Sequence, residues 1–297
     1  MKKLVCAILT LMMCFGSCAF AAGPERPDVT WDFGVPLSDT LSDYAVLVNR
    51  DNLLDKSHKP SPLVKVKGVK RATSTAVEMQ GTAAEKLVEM FNAAKQVFEY
   101  NYVNEKGKTV TATYDENGMV LYLKSGYRSY GTQATVYANY LARNNNVDDG
   151  YSSPPGASEH QSGLCADILN ADYASRSRMT QDFKWTAEAQ WMKENCADFG
   201  FILRYTEDGE ALTKTAFEPW HFRYVGESIA DYIMGRGITM EEFSEQAKAA
   251  YDEFIAKGGD VDAWLAYEQA HLNQPPQPEV LEATDETGDH ETSLLFF

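Results

Sequence analysis

Apolar residues along this chain are spaced first with a helical period and then with a strand period. Between residues 81 and 98 they recur every three or four positions, which predicts an amphipathic helix. Residues 109–114 instead alternate strictly between polar and apolar side chains, as in a strand with one exposed face. Asn117-Gly118 is a turn signal and residues 119–123 continue the apolar pattern, so the two stretches are predicted to pair as a β-hairpin.

The remainder of the chain keeps switching between these two periods. The pattern predicts a helix around 136–141, a strand over 164–169, a helix from Thr186 to Gly200, strands over 201–205 and 217–225, and a last helix that begins at the Thr239/Glu242 capping box. Helices and strands therefore follow one another irregularly, which indicates an α+β layout. A parallel sheet would require regular strand–helix alternation.

Four segments are predicted from the distribution of charged, apolar and proline residues. Lys2 and Lys3, a short apolar run and a small-residue cleavage pattern at 19–21 are typical of a signal peptide. The segments are a signal peptide over 1–22, an extended N-terminal arm over 23–75, a folded domain over 76–250, and a C-terminal helix with an acidic, Pro-rich disordered tail over 251–297.

The signal peptide implies that the protein is exported, to the extracellular space or the cell wall. Residues 15–18, Phe-Gly-Ser-Cys, also resemble a degenerate bacterial lipoprotein box, which would make Cys18 a lipid-bearing N-terminus. Cleavage after residue 21 leaves Cys165 and Cys196. In an oxidising compartment the two could form a disulfide, or both could be small buried residues, and the sequence leaves this open.

Composition narrows the possible partners. The 297 residues suffice for one domain with extensions, and the formal net charge is −16. Nucleic acid and anionic membrane surfaces both require a basic patch, and the sequence has no run of lysines or arginines. We therefore expect no nucleic-acid partner, membrane contact only through a lipid anchor at Cys18, and a monomer.

Histidine is scarce, with five in the chain, and two of the five stand in segments that also supply a candidate metal-binding or catalytic carboxylate. His160 precedes Asp167 by seven residues, and His221 follows Glu218 by three. His160, Asp167 and His221 would supply two imidazoles and one carboxylate to a zinc ion, leaving one coordination position for water. Glu218 would then be the base that takes a proton from that water. On spacing alone, the same residues could be hydrogen-bonded pairs without a metal.

Several short motifs succeed one another along the chain: SGYRS (125–129), Gln133, SEHQSG (158–163) with Asp167, GFILRY (200–205) and EPWHFRY (218–224). In this order they resemble the VanY-type D-alanyl-D-alanine carboxypeptidase family, zinc peptidases of the D-Ala-D-Ala-peptidase/Hedgehog fold. Residues 47–54 are similar to the family's lead-in, and the resemblance covers about 44–245. It implies an α+β fold with a single small antiparallel sheet and helices packed on it.

The resemblance also implies roles for individual residues. Zinc would be held by His160, Asp167 and His221, with Glu218 as the catalytic base. Arg128 would bind the substrate carboxylate or the developing oxyanion, a task suited to a planar guanidinium. The remaining implied substrate contacts are Gln133, Ser158 and Trp220, of which Trp220 could equally belong to the core.

The implied reaction is zinc-dependent hydrolysis of the C-terminal D-alanine of peptidoglycan stem peptides. Two alternatives stay open: an L,D-carboxypeptidase acting on the tetrapeptide stem, and a non-catalytic zinc-containing module that binds the cell wall. Glu218 and Arg128 argue against the binding module, because a structural zinc needs neither. The hairpin over 109–123 looks longer than is usual in the family, and residues after about 250 lie outside the resemblance.

Overall fold

The computed structural model describes residues 24–271. The predicted signal peptide, Cys18 and the predicted tail lie outside the described residues, so export and lipid anchoring stay predictions. Among the helices of the described part, none combines the length and apolar character needed to cross a membrane.

Nine short strands form three sheets within residues 24–271. In chain order they are β1 (Leu63–Lys65), β2 (Lys70–Arg71), β3 (Glu78–Gln80), β4 (Glu99–Val103), β5 (Thr109–Thr113), β6 (Tyr122–Ser125), β7 (Cys165–Leu169), β8 (Phe201–Leu203) and β9 (His221–Tyr224). The main sheet has the order β2-β6-β7-β9-β8, and the pairs β1–β3 and β4–β5 form two separate ribbons.

The α-helices of the described residues alternate irregularly with these strands along the chain. They are α1 (Leu37–Thr40), α2 (Gly81–Ala94), α3 (Tyr130–Arg143), α4 (Ala171–Ala174), α5 (Ala187–Asn195), α6 (Glu210–Thr213), α7 (Glu227–Arg236), α8 (Met240–Ala256) and α9 (Val261–His271). The predicted α+β class is confirmed. Two details of the expected single antiparallel sheet differ, since two small ribbons accompany the main sheet and its β2–β6 edge is parallel.

Periodicity located the helices well. The apolar stripe of α2 is buried through Leu87, Met90 and Phe91, in the same core cluster as Ile168 of β7 and Phe222 of β9. At the start of α8 the predicted capping box is present, with Thr239 and Glu242 each accepting a hydrogen bond from the other's backbone N–H. The strand predicted over 217–225 is shorter, because a turn at 218–221 precedes β9.

The predicted hairpin over 109–123 is wrong in its pairing. Residues 109–113 pair instead with β4, residue for residue from Glu99↔Thr113 to Val103↔Thr109. Gly118 has a left-handed backbone (φ 65°), and a Cβ there would lie 2.0 Å from the carbonyl oxygen of Lys95. This glycine is therefore required where the chain crosses the end of α2, and the following residues enter the main sheet as β6.

The segment over 24–75, predicted as an extended arm, contains few regular elements but is packed onto the rest. It supplies the edge strand β2 and buries Trp31 and Leu37 against Phe254 and Trp264 near the C-terminal end of the described chain. The carboxylate of Glu268 accepts hydrogen bonds from the backbone N–H groups of Leu37 and Ser38. The first and last described segments therefore hold each other in place.

Both cysteines left open by the sequence are free, buried thiols. Cys165 lies on β7, and Cys196 lies in the 3-10 turn Cys196–Phe199 that follows α5. The alternative of two separate buried residues is therefore the one that the structure has.

Candidate active site

The central strands of the main sheet place two polar side chains opposite each other. Every residue of β7 and β9 is buried, and Asp167 pairs with His221 in the antiparallel register. Because directly opposed residues of paired strands point to the same face, the carboxylate and the imidazole meet there.

A sharp turn brings a second histidine to this face. His160 lies in the 3-10 turn Glu159–Ser162, which ends at Gly163 with a left-handed backbone (φ 70°). A Cβ at Gly163 would lie 2.7 Å from Cγ of Pro60, so only glycine fits between this turn and β7. The carbonyl oxygen of His160 accepts a hydrogen bond from the backbone N–H of Arg128 at 3.0 Å, which fixes the turn next to the SGYRS segment.

The predicted ligands and the predicted base converge in one cluster. Nε2 of His160 is 3.4 Å from Oδ2 of Asp167, and Nδ1 of His221 is 3.2 Å from Oδ1 of Asp167. An oxygen of Glu218, Oε2, lies 3.5 Å from Nδ1 of His221. His160, Asp167 and His221 are each only 3% exposed.

Hydrogen bonds on the far side of each imidazole leave the correct nitrogen free. Nδ1 of His160 lies 2.6 Å from the carbonyl oxygen of Gly126, which can only accept, so Nδ1 donates and Nε2, on the side of Asp167, is the nitrogen that could bind a metal ion. Nε2 of His221 lies 3.4 Å from the Glu159 carboxylate, so Nδ1 is the nitrogen of that ring that faces Asp167 and Glu218. Partners of this kind orient histidines that bind metals.

These donors fit a metal ion. Among the described residues, two sets of ligand atoms lie within 4.8 Å of one another: His160, Cys165 and His221 form one set, and Asp167, Glu218 and His221 form the other. Imidazole nitrogen together with carboxylate oxygen is a donor combination that suits zinc and other first-row divalent ions. The predicted ligand His160 and the predicted ligand Asp167 thus belong to overlapping sets that share His221.

Glu159 connects this cluster to a buried ion network that the sequence interpretation missed. Its Oε1 accepts hydrogen bonds from Nε of Arg204 at 2.8 Å and Nη1 of Arg223 at 2.9 Å, and all three side chains are fully buried. Burial alone would raise the pKa of Glu159, but the two guanidinium groups hold it well below its usual range. Glu159 is therefore an ionised acceptor for Nε2 of His221.

Arg204 connects the buried ion network to helix α8. It donates two hydrogen bonds to Glu241 of α8, at 2.8 and 2.7 Å. The signal in the sequence was an arginine within each of two apolar strand motifs, GFILRY and EPWHFRY. A charged residue is almost never buried without a partner, so each arginine required an acid that spacing alone could not identify.

Glu218 differs from the other carboxylates of the cluster in its environment. It lies in the turn before β9, where its backbone N–H donates to the carbonyl of Tyr205. Burial raises the pKa of Glu218 to about 7, with a smaller increase from the negative charge of Asp167. A carboxyl group with such a pKa can both take and return a proton near neutral pH.

The cluster lies at a cavity of about 720 Å³ that all the predicted site residues line. Arg128 donates from Nη1 to Oε1 of Gln133 at 2.9 Å, and Gln133 in turn donates to the carbonyl of Ser153 at 2.6 Å. Within the described residues, the buried Nε of Arg128 has no hydrogen-bond partner. The guanidinium is thus held at the cavity wall, with further donors that the hydrogen bond to Gln133 does not use.

The two other predicted contacts lie on the cavity wall. Ser158 is 4% exposed and precedes the turn that carries His160. Trp220 is 1% exposed. It belongs to the main core cluster and also lines the cavity, so it occupies both the core position and the cavity position that were considered for it. Tyr205, which was not predicted, packs on His221 with ring centroids 4.9 Å apart.

Comparison with known proteins agrees with the motifs. A sequence model of the family described as VanY, D-alanyl-D-alanine carboxypeptidase, matches residues 96–227. The presumed carboxypeptidase YodJ of Bacillus subtilis (strain 168) is 32% identical over 209 residues, which are 68% of this chain and 67% of YodJ.

Two solved structures extend this similarity to the fold. The LdcB LD-carboxypeptidase is 32% identical with a TM-score of 0.55, covering 67% of this chain and 85% of that one. A variant of the D,D-pentapeptidase VanY from a VanB-type vancomycin-resistance cassette, in complex with Zn(II), is 25% identical with a TM-score of 0.51, covering 68% and 99%. The fold and the site define a carboxypeptidase. The chain belongs to the VanY-type D-alanyl-D-alanine carboxypeptidase family.

Proposed function

We propose that this protein is a zinc-dependent D,D-carboxypeptidase that releases the C-terminal D-alanine from peptidoglycan stem peptides. The observation that carries the proposal is the convergence of His160, Asp167, His221 and Glu218 at one cavity, with Arg128 beside them. A structural metal site needs neither a carboxyl group with a raised pKa nor an arginine with an unpaired donor, whereas a peptidase uses both.

His160, Asp167 and His221 would hold the zinc ion, through Nε2, a carboxylate oxygen and Nδ1 respectively. A zinc ion in this position would supply a Lewis acid that polarises the scissile carbonyl and makes water more acidic. The hydrogen-bond acceptors on the far side of the rings, the Gly126 carbonyl and the Glu159 carboxylate, keep both imidazoles in the required orientation.

Substrate positioning falls to Arg128 and its neighbours. The guanidinium, fixed by Gln133, would bind the terminal carboxylate of the peptide, or the oxyanion that develops, through the donors that Gln133 leaves unused. Glu218 takes the proton of the attacking water and passes it to the departing D-alanine amine, which its pKa near 7 permits. Lys124, Arg143 and Arg178 also line the cavity, which gives a strongly acidic chain a local excess of cations suited to an acidic peptide.

L,D-carboxypeptidase activity is a second candidate. It is favoured by the similarity to LdcB, an LD-carboxypeptidase, which is higher in identity than the similarity to VanY. Both activities release D-alanine and can use the same metal site, so they differ in the pocket for the preceding residue. Contact with peptidoglycan also requires export, which the first 22 residues predict.

The decisive experiment measures zinc content and D-alanine release on the same preparations. Glu218→Gln should keep its zinc and lose activity about 10²–10⁴-fold, because an amide cannot accept the proton. His160→Ala should lose zinc and activity together. Glu207→Gln, an exposed carboxylate paired with Lys184, is the matched control and should behave as wild type.

Each alternative has its own outcome in this experiment. Equal D-alanine release by wild type and Glu218→Gln would contradict the role of Glu218. No release by either protein, with zinc bound in both, would favour the cell-wall binding module. Release from a pentapeptide ending in D-Ala-D-Ala supports the D,D activity, whereas release only from a tetrapeptide, with D-alanine following an L-residue, supports the L,D activity.

A further inference from the structure

The cavity runs along one face of helix α3. The residues of α3 that line it recur as i, i+3, i+6, i+7 and i+10, and they are Gln133, Val136, Asn139, Tyr140 and Arg143. Residues with this spacing share one face of a helix. Of the fourteen residues of α3, only Gln133 is buried. The face that borders the cavity is therefore not packed against the core and is open to a ligand.

This face is longer than a D-Ala-D-Ala end requires. Arg128 lies just before α3, and Arg143 is the last residue of the helix. At about 1.5 Å per residue, the fourteen residues of α3 span about 20 Å. An extended peptide advances about 3.3 Å per residue, so about six residues fit along this length. A peptide that follows the cavity from Arg128 therefore has its earlier residues beside the last turns of α3.

Two arginines from different segments meet at this end of α3. Tyr140, one turn before Arg143, packs against Tyr151 with ring centroids 6.3 Å apart. The hydroxyl of Tyr151 donates a hydrogen bond to the carbonyl oxygen of Met179 at 3.3 Å. Arg178 precedes Met179 and lines the cavity, as Arg143 does. The contacts of Tyr151 thus connect the segments that carry the two arginines.

The protein does not neutralise the charges of these two arginines. Arg143 and Arg178 are both exposed, and neither forms an ion pair within residues 24–271. Arg176 lines the same cavity but is paired with Asp172 at 2.6 Å and with Asp182 at 3.2 Å. Unlike Arg176, the other two guanidinium groups are available to an anionic group of a ligand.

The acidic residues of the cavity are engaged elsewhere. Asp149 accepts hydrogen bonds from the hydroxyl of Tyr140 and from Nδ2 of Asn144. The other carboxylates of the cavity lining belong to the catalytic cluster or to its ion network, and they are Glu159, Asp167 and Glu218. The two arginines therefore give their end of the cavity a local positive charge.

We propose that the stem peptide lies along α3 with its terminal carboxylate at Arg128, and that Arg143 and Arg178 bind a second carboxylate upstream of the scissile bond. The proposal rests on the proposed function, since it takes this cavity to bind a stem peptide. Planar guanidinium groups suit such a ligand, because each can donate two parallel hydrogen bonds to a carboxylate. In stem peptides this carboxylate belongs either to a γ-linked D-glutamate or to a diaminopimelate residue.

The test measures kcat and KM of the zinc-loaded full-length protein on matched peptides. One pair is the pentapeptide L-Ala-γ-D-Glu-L-Lys-D-Ala-D-Ala with the glutamate α-carboxylate either free or amidated. A second pair, amidated at glutamate, carries L-lysine or meso-diaminopimelate at the third position. The tripeptide diacetyl-L-Lys-D-Ala-D-Ala has no upstream carboxylate. If the protein is an L,D-carboxypeptidase, the same peptides without the last D-alanine are used.

Arg143→Gln and Arg178→Gln should each raise KM up to about fivefold for peptides with the second carboxylate, the effect of one partly exposed ion pair. Their kcat should change little, and their KM for the tripeptide should equal that of wild type. Added salt should reduce the difference, because it screens exposed charges. Arg236→Gln is the matched control, since it removes an exposed arginine that stacks on Tyr232 outside the cavity, and it should leave every KM unchanged.

The peptide pair that responds identifies the source of the carboxylate. A higher KM after amidation of glutamate supports the glutamate carboxylate, and a lower KM with diaminopimelate than with lysine supports the other source. Equal KM values within both pairs overturn the subsite, even where hydrolysis is rapid. A raised KM for the tripeptide in the two arginine variants, or an equal effect in Arg236→Gln, contradicts it as well.

Binding separates this inference from the proposed reaction. Titrated calorimetrically into metal-free protein, the peptides with the second carboxylate should bind more tightly than those without it, and Arg143→Gln and Arg178→Gln should lose this preference. If wild type hydrolyses none of the peptides, the proposed function fails. The binding preference would then still support the subsite, and its absence would overturn it. Should an arginine variant fold poorly, the comparison of free and amidated peptides on wild type decides.

Discussion

Polar side chains are buried in the centre of the main sheet and solvent-exposed in the β4–β5 ribbon. In β7 and β9 every position is buried, including Asp167, His221 and Arg223. In β4 and β5 exposed positions alternate with half-buried ones, and no residue is fully buried. Burying a polar group costs free energy unless the group is paired. The buried polar residues in the centre of the sheet therefore depend on their partners, whereas the exposed polar residues of the ribbon are solvated by water.

The contrast is equally clear in the partners. Around His221 the buried charges are paired. Glu159 contacts both Arg204 and Arg223, and it also lies next to His221. In the ribbon, a representative contact is the exposed hydrogen bond from Oγ1 of Thr111 to Asn101. Such exposed bonds exchange with water at little net gain. We therefore expect substitutions in the two regions to differ strongly in effect.

The largest effect on stability is expected for Glu159→Ala. This change leaves Arg204 and Arg223 buried without their shared acid, and breaking a buried ion pair in this way costs about 3–5 kcal/mol. Urea unfolding of Glu159→Ala beside Glu99→Ala, an exposed carboxylate at the end of the ribbon, measures the contrast. A Glu159→Ala protein as stable as Glu99→Ala would show that the network contributes nothing to stability.

Arg128→Lys should reduce catalytic efficiency about 10–100-fold with the fold intact, since a lysine keeps the charge and loses the planar set of donors. The change is best read from kcat and KM on a stem pentapeptide, with circular dichroism as the control for folding. Wild-type kinetics in this variant would mean that Arg128 does not contact the substrate.

Gln133→Ala should have a smaller effect of the same kind. The side chain bridges Nη1 of Arg128 and the Ser153 carbonyl, so its loss frees the guanidinium to sample other orientations. Loss of one such hydrogen bond corresponds to about 1 kcal/mol, or about a fivefold decrease in kcat/KM. If Arg128 is positioned by Gln133, combining both substitutions should cost less than the sum of the two.

The smallest effect is expected for Thr111→Ala in the ribbon. Exposed substitutions away from buried networks change stability by about 0.5 kcal/mol or less. Both the unfolding midpoint and the rate of D-alanine release should match wild type. A decrease in activity alone would place the ribbon near the bound peptidoglycan and break the comparison between the two regions.

Local patterns predicted what depends on local spacing. The helical stripe of α2 and the capping box of α8 are both present. The ribbon was mispredicted because Asn117-Gly118 is a strong turn signal, whereas this glycine serves the passage of the chain over Lys95. The alternation of residues 99–103 marked the true partner strand, but the predicted helix had been extended as far as residue 98.

The candidate site likewise contains residues that local motifs predicted and residues that only the folded structure reveals. Motifs named His160, Asp167, His221 and Glu218, and the structure brings these four side chains together. The acceptor that orients His221 could not be predicted, because Glu159 meets Arg204 and Arg223 from three separate segments of the chain. Long-range electrostatic pairing of this kind leaves no periodic signal in a sequence.

The packing of the first described segment against the last one has a practical consequence for shortening the protein. A recombinant fragment ending near residue 250 would lack Trp264 and Glu268, which hold the segment around Leu37. That same N-terminal segment supplies the carbonyl oxygens of Tyr44 and Val46 to the guanidinium of Arg223. Ending the chain near residue 250 would thus loosen the backbone that holds Arg223, two positions after His221 on β9, although both residues precede the cut by more than 20 positions.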